Sequence, residues 1–266
     1  MIFDSLGLGE LGVVAIVAIL FVDPKKLGQA VQAFGKMKKK WNGIQREVKQ
    51  QFNEITTLDL AEGDQKVSMT ALKTVLRQEG KAVLSTIPSL ERSQAATKIL
   101  DRLKDFSTFT NASVIALFSG AMQEIETESL IRYALSEKKT VLLPYINHHG
   151  EGAPKMEMAP IQNYDKDLLE GMFGILEPLD TLRNAPVPEP DLIVIPGLGF
   201  DEQGGRLGRG RGYYDRYLKE HKGYRLGLGF DVQILRKKLT LESHDQVLDG
   251  LMTEKKLWIF PKQNLA

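Results

Sequence analysis

A long apolar run lies close to the start of the chain. Leu11–Val22 contains twelve consecutive residues without a polar side chain, and only Glu10 interrupts the pattern back to Leu6. As a helix, Leu6–Val22 would be about 25 Å long, slightly less than the hydrocarbon core of a bilayer at about 30 Å. A run of this length fits a buried core helix, the apolar region of a signal peptide, an interfacial anchor or a short membrane span.

The residues that flank this run favour the membrane span. No basic residue precedes it, whereas Pro24 and several lysines follow it, which is the reverse of a signal peptide. The positive-inside bias places Met1 outside and the lysine-rich side in the cytoplasm. From Pro24 to about residue 55, apolar residues recur every three to four positions opposite a basic face. This pattern predicts an amphipathic helix on an anionic membrane surface. The open alternative is a helical hairpin packed on the rest of the protein.

The remainder of the chain has the pattern of an α/β protein. Residues 56–66 are polar and aperiodic, and we interpret them as a linker between a membrane segment, 1–55, and a domain over 67–266. In that domain we expect helices capped by Thr70 and Ser89, and further helices over 127–136 and 213–221. Short apolar runs predict strands at Val114–Phe118, Thr140–Leu143, Asp191–Ile195, Leu226–Phe230 and Leu257–Phe260. The alternation predicts a largely parallel sheet with helices on both faces, with loops or a hairpin between 147 and 190.

Composition and charge exclude several classes of protein. The chain has 35 Lys and Arg against 34 Asp and Glu, so it lacks the strong positive charge of a dedicated nucleic-acid binder. The absence of cysteine removes disulfides, iron–sulfur clusters, thiolate zinc sites and a cysteine nucleophile. The four histidines do not occur at helical metal-ligand spacing, which disfavours a transition-metal enzyme.

The segment with the most informative chemistry follows the predicted strand Asp191–Ile195. Between Arg206 and Asp215 there are three arginines, three glycines and two tyrosines, and a helical pattern begins at Tyr213. Glycines let a backbone approach an anion closely, arginines supply planar forks for phosphate oxygens, and a helix start adds its positive end. We therefore predict a polyphosphate site, although the sequence is neither a Walker loop nor a dinucleotide-binding fingerprint. The alternatives are an RNA-binding Arg-Gly tail and a solvated basic turn.

The sequence of this segment, PGLGFDEQGGRLGRGRGYYDRYL, resembles the signature of the 5-formyltetrahydrofolate cyclo-ligase family. Further similar pieces follow the family order: KTVLR from Lys73, MQEIETE from Met122, FGILEP from Phe173, the residues from Phe230 to Gln233, and the residues from His244 to Asp249. The resemblance implies an enzyme that uses ATP and Mg²⁺ to convert 5-formyltetrahydrofolate to 5,10-methenyltetrahydrofolate, with release of ADP and phosphate.

The resemblance also implies roles for individual residues. Lys73 and Arg77, four apart on one helical face, would reach the same triphosphate. The other ATP-binding residues would be Arg206, Leu207, Gly208, Arg209, Gly210, Arg211, Gly212, Tyr213 and Tyr214. Ser119, Glu124 and Tyr213 would contact the folate, with a helix N-cap as the alternative role of Glu124. Asp215 and Asp245 would hold Mg²⁺, since carboxylate oxygens are its usual protein ligands.

The first part of the chain resembles a second family, the small subunits of the twin-arginine protein translocase, and its B type more than its A type. The resemblance rests on the MIFD start, Gly9-Glu10-Leu11, the proline hinge and Phe34-Gly35-Lys36, although Asp23 stands where glycine is more frequent. It implies that Glu10 acts in assembly with a polytopic translocase partner, and an acid in an apolar run is costly enough to suggest a function. The expected protein is thus a folate cyclo-ligase anchored in the inner membrane. The alternative is an export component that carries a passenger or degenerate enzyme domain.

Overall fold

A computed structural model of the chain describes residues 65–120, 123–148, 153–171, 174–235 and 238–261. The predicted membrane segment 1–55, including Glu10, lies outside these described residues. The chain divides into two compact units, Met1–Ala71 and Leu72–Ala266, and the strands given below belong to the second. Among the helices that the structure describes, none combines the length and the apolar character that crossing a bilayer requires.

The helices of the described chain are α1 Gln65–Ser85, α2 Ser89–Lys104, α3 Ser107–Asn111, α4 Glu128–Ser136 and α5 Tyr213–Glu220. The strands are β1 Val114–Ala116, β2 Thr140–Asn147, β3 Lys155–Ile161, β4 Leu168–Glu170, β5 Leu176–Pro178, β6 Leu192–Ile195, β7 Gly199–Asp201, β8 Arg206–Leu207, β9 Tyr224–Leu228, β10 Ile234–Leu235, β11 Gly250–Met252 and β12 Leu257–Ile259. Single 3₁₀ turns occupy Asp180–Leu182 and Asp231–Gln233.

The central sheet has seven strands in the order β12-β11-β9-β6-β1-β2-β3. The five inner strands pair in parallel, and the two edge strands, β3 and β12, are antiparallel to their neighbours. Two small sheets, β10-β7-β8 and β4-β5, accompany it. The prediction of an α/β fold with a largely parallel sheet is therefore confirmed.

Both faces of the central sheet are buried. On one face, Ala116, Leu142 and Ile193 form an apolar cluster with Tyr217 and Leu218 of α5. The residues that alternate with them along the strands point to the opposite face and are also fully buried: Ile115, Val141, Leu143, Leu192 and Val194. Strands buried on both faces read as continuous apolar runs, which explains why β1, β2 and β6 were recognisable in the sequence.

Several element boundaries differ from the predictions. Thr70 lies inside α1 rather than at its start, because the helix begins at Gln65. Ser89 is the first residue of α2, and Pro88 holds the N-cap position with an extended backbone while its carbonyl accepts the Arg92 amide at 3.0 Å. Proline suits this place because its φ is fixed and no amide hydrogen is needed there.

Two strands also differ from their predicted spans. β2 continues to Asn147 because it forms a long antiparallel ladder with β3, in which Thr140–Leu143 is only the first half. β9 begins and ends two residues earlier than predicted, at Tyr224 and Leu228. The amide of Phe230 is taken by the side chain of Gln233 at 2.7 Å, so the ladder ends before that residue.

Candidate active site

The residues with predicted chemistry follow the carboxyl ends of the parallel strands. β1 leads into the loop that carries Ser119 and Glu124. β6 leads through β7 and β8 into residues 208–212, which we call the glycine-rich loop. The carboxyl ends of parallel strands lie at one edge of a sheet, where α/β proteins bind their ligands. The topology therefore brings these loops to one side of the molecule.

Buried polar side chains hold the loop after β1 and the turn after β9. Thr127 accepts the Gly120 amide at 3.1 Å and donates to the Phe118 carbonyl at 2.7 Å, which closes the loop that contains Ser119. Gln233 donates to the Gly197 carbonyl at 2.7 Å and accepts the Phe230 amide, so it joins the segment after β6 to the segment after β9. Both side chains are almost fully buried.

Asp201 organises the start of the glycine-rich region in the same way. Its carboxylate accepts the amides of Gln203 at 2.9 Å, Gly205 at 2.7 Å and Leu239 at 2.7 Å, and only 1% of the residue is exposed. A buried carboxylate needs such donors to offset its desolvation. Asp201 lies inside the signature segment, and Gln233 ends the similar piece that begins at Phe230. No role was predicted for either residue. Their positions at strand ends are the signal that could have identified them.

The glycine-rich loop has backbone angles that most residues avoid. Gly210 has φ +96° and Gly212 has φ +64°, and Gly212 is the N-cap residue of α5. The Arg77 guanidinium reaches this loop from α1, where its Nε donates to the Gly208 carbonyl at 3.1 Å. A side chain at Gly210 would place its Cβ 3.3 Å from the same Nε. These glycines therefore allow both the turn of the loop and its close approach to Arg77.

Lys73 forms an ion-pair cluster with the segment between β10 and β11. Its Nζ lies 2.7 Å from Asp245 Oδ2 and 2.9 Å from Glu242 Oε2, and the Glu242 amide donates to the same Asp245 oxygen at 2.8 Å. Burial opposes the charge of Lys73, but the two carboxylates outweigh it and raise its pKa. Burial likewise opposes the charge of Asp245, yet the Glu242 amide and Lys73 hold the pKa of this carboxyl below its usual range. Lys73 lowers the pKa of Glu242 as well.

Arg206 is buried beneath the loop and pairs with Asp215. Its Nη2 donates to Asp215 Oδ1 at 2.9 Å, and only 4% of the Arg206 side chain is exposed. The guanidinium carbon lies 5.6 Å from the centre of the Tyr214 ring, in cation–π range. Its Nε is buried without a hydrogen-bond partner among the described residues. Asp215 also accepts the Gln246 amide at 3.4 Å, which connects α5 to the segment that carries Asp245.

Arg209 pairs with Glu124 across the site. Its Nε and Nη2 both donate to Glu124 Oε1, at 3.0 and 2.7 Å. Arg209 was predicted to bind the phosphates and Glu124 to bind the folate. The structure shows that these two residues form an ion pair with each other. Glu124 lies four residues before α4, and the N-cap position of that helix is held by Thr127. The alternative role of Glu124 as an N-cap acid is therefore wrong.

The other predicted residues lie around these pairs. Leu207 is buried in β8, Ser119 is half-buried, and Arg211 is exposed, with its carbonyl accepting Arg216 Nη1 at 3.0 Å. Tyr213 is half-buried, and its ring centre lies 5.2 Å from the Arg216 guanidinium carbon. Arg216 was missed by the sequence reasoning, although it is the next basic residue along the same segment.

The two predicted magnesium ligands have different surroundings. Asp245 forms a cluster with Glu242 and His244, whose ligand atoms all lie within 4.8 Å of one another. Asp215 is not a member of that cluster in the described part of the chain and instead pairs with Arg206. The carboxylates of Glu242 and Asp245 provide oxygen donors of the kind that Mg²⁺ takes, so this cluster fits the ion chemically. Neither Glu242 nor His244 was predicted as a ligand.

Comparisons with known proteins confirm both family resemblances. A family model described as the mttA/Hcf106 family matches residues 3–51, which confirms the resemblance of the first segment to small twin-arginine translocase subunits. A model of the 5-formyltetrahydrofolate cyclo-ligase family matches residues 69–254. The 5-formyltetrahydrofolate cyclo-ligase of Escherichia coli K12 is 30% identical over 69% of this chain and 99% of its own length. The mouse protein of the same name is 29% identical over 71% and 96%.

Solved structures give the same result. The NMR structure of Aquifex aeolicus 5,10-methenyltetrahydrofolate synthetase has a TM-score of 0.62 and 29% identity, over 73% of this chain and 96% of the other. A synthetase of that name from Mycoplasma pneumoniae has a TM-score of 0.50 and 19% identity, over 68% and 98% of the two chains, which shows the fold alone. With a family model that covers most of the 266 residues and relatives that align over nearly their full length, the chain belongs to the 5-formyltetrahydrofolate cyclo-ligase family.

Proposed function

We propose that this chain converts 5-formyltetrahydrofolate to 5,10-methenyltetrahydrofolate with the consumption of ATP. The observation that carries the proposal is a set of basic side chains at the glycine-rich loop: Arg206 and Arg209 belong to the segment that contains this loop, and Arg77 bonds to it from α1. Lys73 bonds to Asp245, in the segment that the Gln246 amide joins to Asp215. Such a set can bind a triphosphate and compensate the charge that moves during phosphoryl transfer. The relatives named for this reaction support it.

The proposed reaction has two stages. The formyl oxygen attacks the γ-phosphorus of ATP, and ADP leaves with the electrons of the broken P–O bond. The second folate nitrogen, N10, then attacks the activated formyl carbon, loses its proton, and phosphate leaves with the former formyl oxygen. Arg206 and Arg209 would hold the phosphate oxygens, and the Glu124 carboxylate would accept hydrogen bonds from the pterin ring. Tyr213 and Tyr214 offer aromatic faces to the ring systems.

The proposed metal site is centred on Asp245. Glu242 and Asp245 would hold Mg²⁺ with the nucleotide, and the ion would neutralise part of the triphosphate charge. Lys73 forms ion pairs with both carboxylates, so its ammonium would be shared with a phosphate oxygen when nucleotide is bound. Asp215 is proposed to keep Arg206 in place, with a direct bond to the ion as its alternative role.

We further propose that residues 1–55 anchor this enzyme in the inner membrane, with residues 56–66 as a linker and 67–266 as the cytoplasmic catalytic domain. The match of residues 3–51 to a translocase-subunit family supports an anchor of that type, with Glu10 as its contact to a polytopic subunit. The second candidate function, protein export with a passenger enzyme domain, rests on the same match. Ligase activity of the full chain would exclude a degenerate enzyme domain, because such a domain would have none, whereas the association of residues 1–55 with a translocase partner tests the export role.

The test is an absorbance assay of methenyltetrahydrofolate formation with the purified full-length protein in detergent, 5-formyltetrahydrofolate, ATP and MgCl₂. We expect an ATP-dependent rise in the wild type. We expect Arg209→Ala to weaken ATP binding by calorimetry and to slow turnover, since neither water nor the nearby tyrosines can replace a forked cation. Arg102→Ala, on the exposed surface of α2, is the matched control and should behave as wild type. A folded wild-type protein without ATP-dependent product would refute the proposed function.

A further inference from the structure

Gly80 lies in the interior of α1, at a position where a helix that packs on a core usually has a large apolar residue. It stands four residues after Leu76 and four before Leu84, and both leucines are buried. Residues at this spacing share one face of a helix. Glycine in a helix interior is unfavourable, and it adds no apolar contact to that face. Its presence therefore calls for an explanation in the packing of α1.

The backbone of α1 approaches the backbone of Leu198, which follows β6, very closely at Gly80. A Cβ at position 80 would lie 2.7 Å from the Leu198 carbonyl oxygen and 3.1 Å from its Cβ, whereas ordinary contact begins at 3.4 Å. The first distance would have to grow by about 0.7 Å. Leu198 is only 2% exposed, and a backbone atom in a close-packed interior cannot rotate away. A side chain at this position would therefore push α1 outward.

The same face of α1 holds the base of the glycine-rich loop. The Leu198 amide donates to the Leu207 carbonyl at 2.8 Å, and the next residue, Gly208, accepts Arg77 Nε at 3.1 Å. Arg77 and Gly80 are three residues apart, so they are neighbours on the helix surface. The helix thus contacts one strand of the base through Gly80 and the other through Arg77. An outward shift of α1 would stretch the Arg77 bond beyond hydrogen-bonding distance.

The bond from Nε fixes the Arg77 guanidinium while its outer end stays available. In the part of the chain that the structure describes, this is the one hydrogen bond that Arg77 forms, and it uses neither Nη1 nor Nη2. These two nitrogens form the planar fork that binds phosphate oxygens. A fork oriented before the ligand arrives loses less conformational freedom on binding. The binding role of Arg77 rests on the proposed function, which assigns this residue to the triphosphate.

We propose that Gly80 is a positioning residue for the nucleotide. The absence of a side chain lets α1 lie close enough to Leu198 for Arg77 to bond to Gly208 and to present its fork to phosphate. Gly80 itself touches no substrate and acts through Arg77. Gly80→Ala would favour the helix but move Arg77 away from the loop. This variant should bind nucleotide about fivefold more weakly than wild type, the usual effect of one lost hydrogen bond.

Ala82→Gly provides a matched control on the same helix. Ala82 is exposed to solvent two residues after Gly80, and its substitution makes the reverse change in helix propensity. An effect of propensity on binding would appear in both variants with opposite signs. An effect of close approach would appear in Gly80→Ala alone, so we expect Ala82→Gly to bind nucleotide as wild type does.

The experiment is calorimetric titration of the full-length protein in detergent with the non-hydrolysable analogue AMP-PNP and MgCl₂. Wild type, Gly80→Ala, Arg77→Ala and the double variant form a double-mutant cycle. Gly80→Ala should weaken binding about fivefold when Arg77 is present. It should weaken binding less than about twofold in the Arg77→Ala background, because the fork that it displaces is already absent. Circular dichroism spectra establish that each variant is folded.

Three results would overturn the positioning role while leaving the proposed function intact. The first is a Gly80→Ala variant that binds AMP-PNP as wild type does. The second is an equal loss of affinity with and without Arg77, which would indicate a general disturbance of the site. The third is an unfolded Gly80→Ala variant, which would assign the glycine to folding alone. Wild-type protein that binds no AMP-PNP would instead refute the proposed function, and the positioning role with it.

Discussion

At the scale of single residues, the cations of the site are held by acids that the sequence had assigned to other tasks. Lys73 bonds to Asp245, Arg206 to Asp215 and Arg209 to Glu124. Each acid was expected to face a metal ion or the folate. The sequence identifies the residue types that polyphosphate chemistry needs, but it does not contain the distances that decide which side chains pair with one another.

The two predicted magnesium ligands should respond differently to removal of their charge. Asp245→Asn should raise the magnesium concentration needed for half-maximal activity, because it removes an oxygen donor from the cluster with Glu242 and His244. Asp215→Asn should instead lower turnover with little change in magnesium requirement, because it leaves the buried Arg206 guanidinium without its counter-charge. Magnesium titration of the activity of both variants checks this. Equal shifts in the two variants would show that both acids ligate the ion.

The Lys73 cluster predicts a pH-dependent contribution to stability. Lys73 holds the pKa of Glu242 below its usual range, so the contribution of this carboxylate is present above its unfolded-state pKa of about 4.3 and is lost as the pH falls through the folded-state value. The free energies of unfolding of wild type and Glu242→Gln should therefore differ at neutral pH and converge in acid. Denaturant unfolding followed by circular dichroism over this range is the measurement. A difference that persists in acid would assign it to packing rather than to charge.

The contribution of Lys73 to stability depends on pH in the opposite direction. Its raised pKa means that its contribution is present below about 10.4, the ordinary value for lysine, and is lost as the pH rises through the folded-state value. The cluster is therefore intact throughout the physiological range.

At the scale of elements, the glycine-rich loop depends on backbone conformations that only glycine adopts easily. Gly210→Ala should weaken nucleotide binding, because a Cβ at φ +96° is strained and would press on Arg77 Nε. The strain is expected to be about 1–3 kcal/mol. We expect KM for ATP to rise more than kcat falls, as measured by steady-state kinetics, since the loop binds phosphate before the reaction begins. An unchanged KM would show that the loop does not contact the nucleotide.

The strands that the sequence predicted best contain runs of buried apolar residues. β1, β2 and β6 are apolar runs in the middle of the sheet, and α5 follows directly from the tyrosine-rich segment. The elements it missed are short and are held by contacts with distant residues. β7, β8 and β10 contain only two or three residues each, and their small sheet depends on Asp201, which binds amides as far along the chain as Leu239. Local patterns do not carry such long-range hydrogen bonds.

At the scale of the whole molecule, the two family matches predict where the enzyme is found. Full-length protein should sediment with inner membranes and resist high-salt washing, since its apolar run is retained while salt weakens only the lysine-rich helix. Immunoblotting of washed membranes checks this. Glu10→Ala should remain bound but lose association with a translocase partner in pull-down assays. Full-length protein that stays in the supernatant would favour the packed helical hairpin. If Glu10→Ala leaves the pull-down unchanged, residues 1–55 serve only as a tether.

The pairing of Lys73, Arg206 and Arg209 with carboxylates has a consequence for how fast nucleotide binds. A cleft lined with unpaired positive charge attracts anions over distances up to about a Debye length, so its association rate falls steeply as ionic strength rises. Here Lys73, Arg206 and Arg209 each face a carboxylate, so much of the positive charge that would attract a triphosphate is already compensated within the protein. The association rate should therefore fall less with added salt than it would in a cleft of unpaired cations. The arginine-rich loop would then recognise phosphate only at contact, when its ion pairs exchange one anion for another.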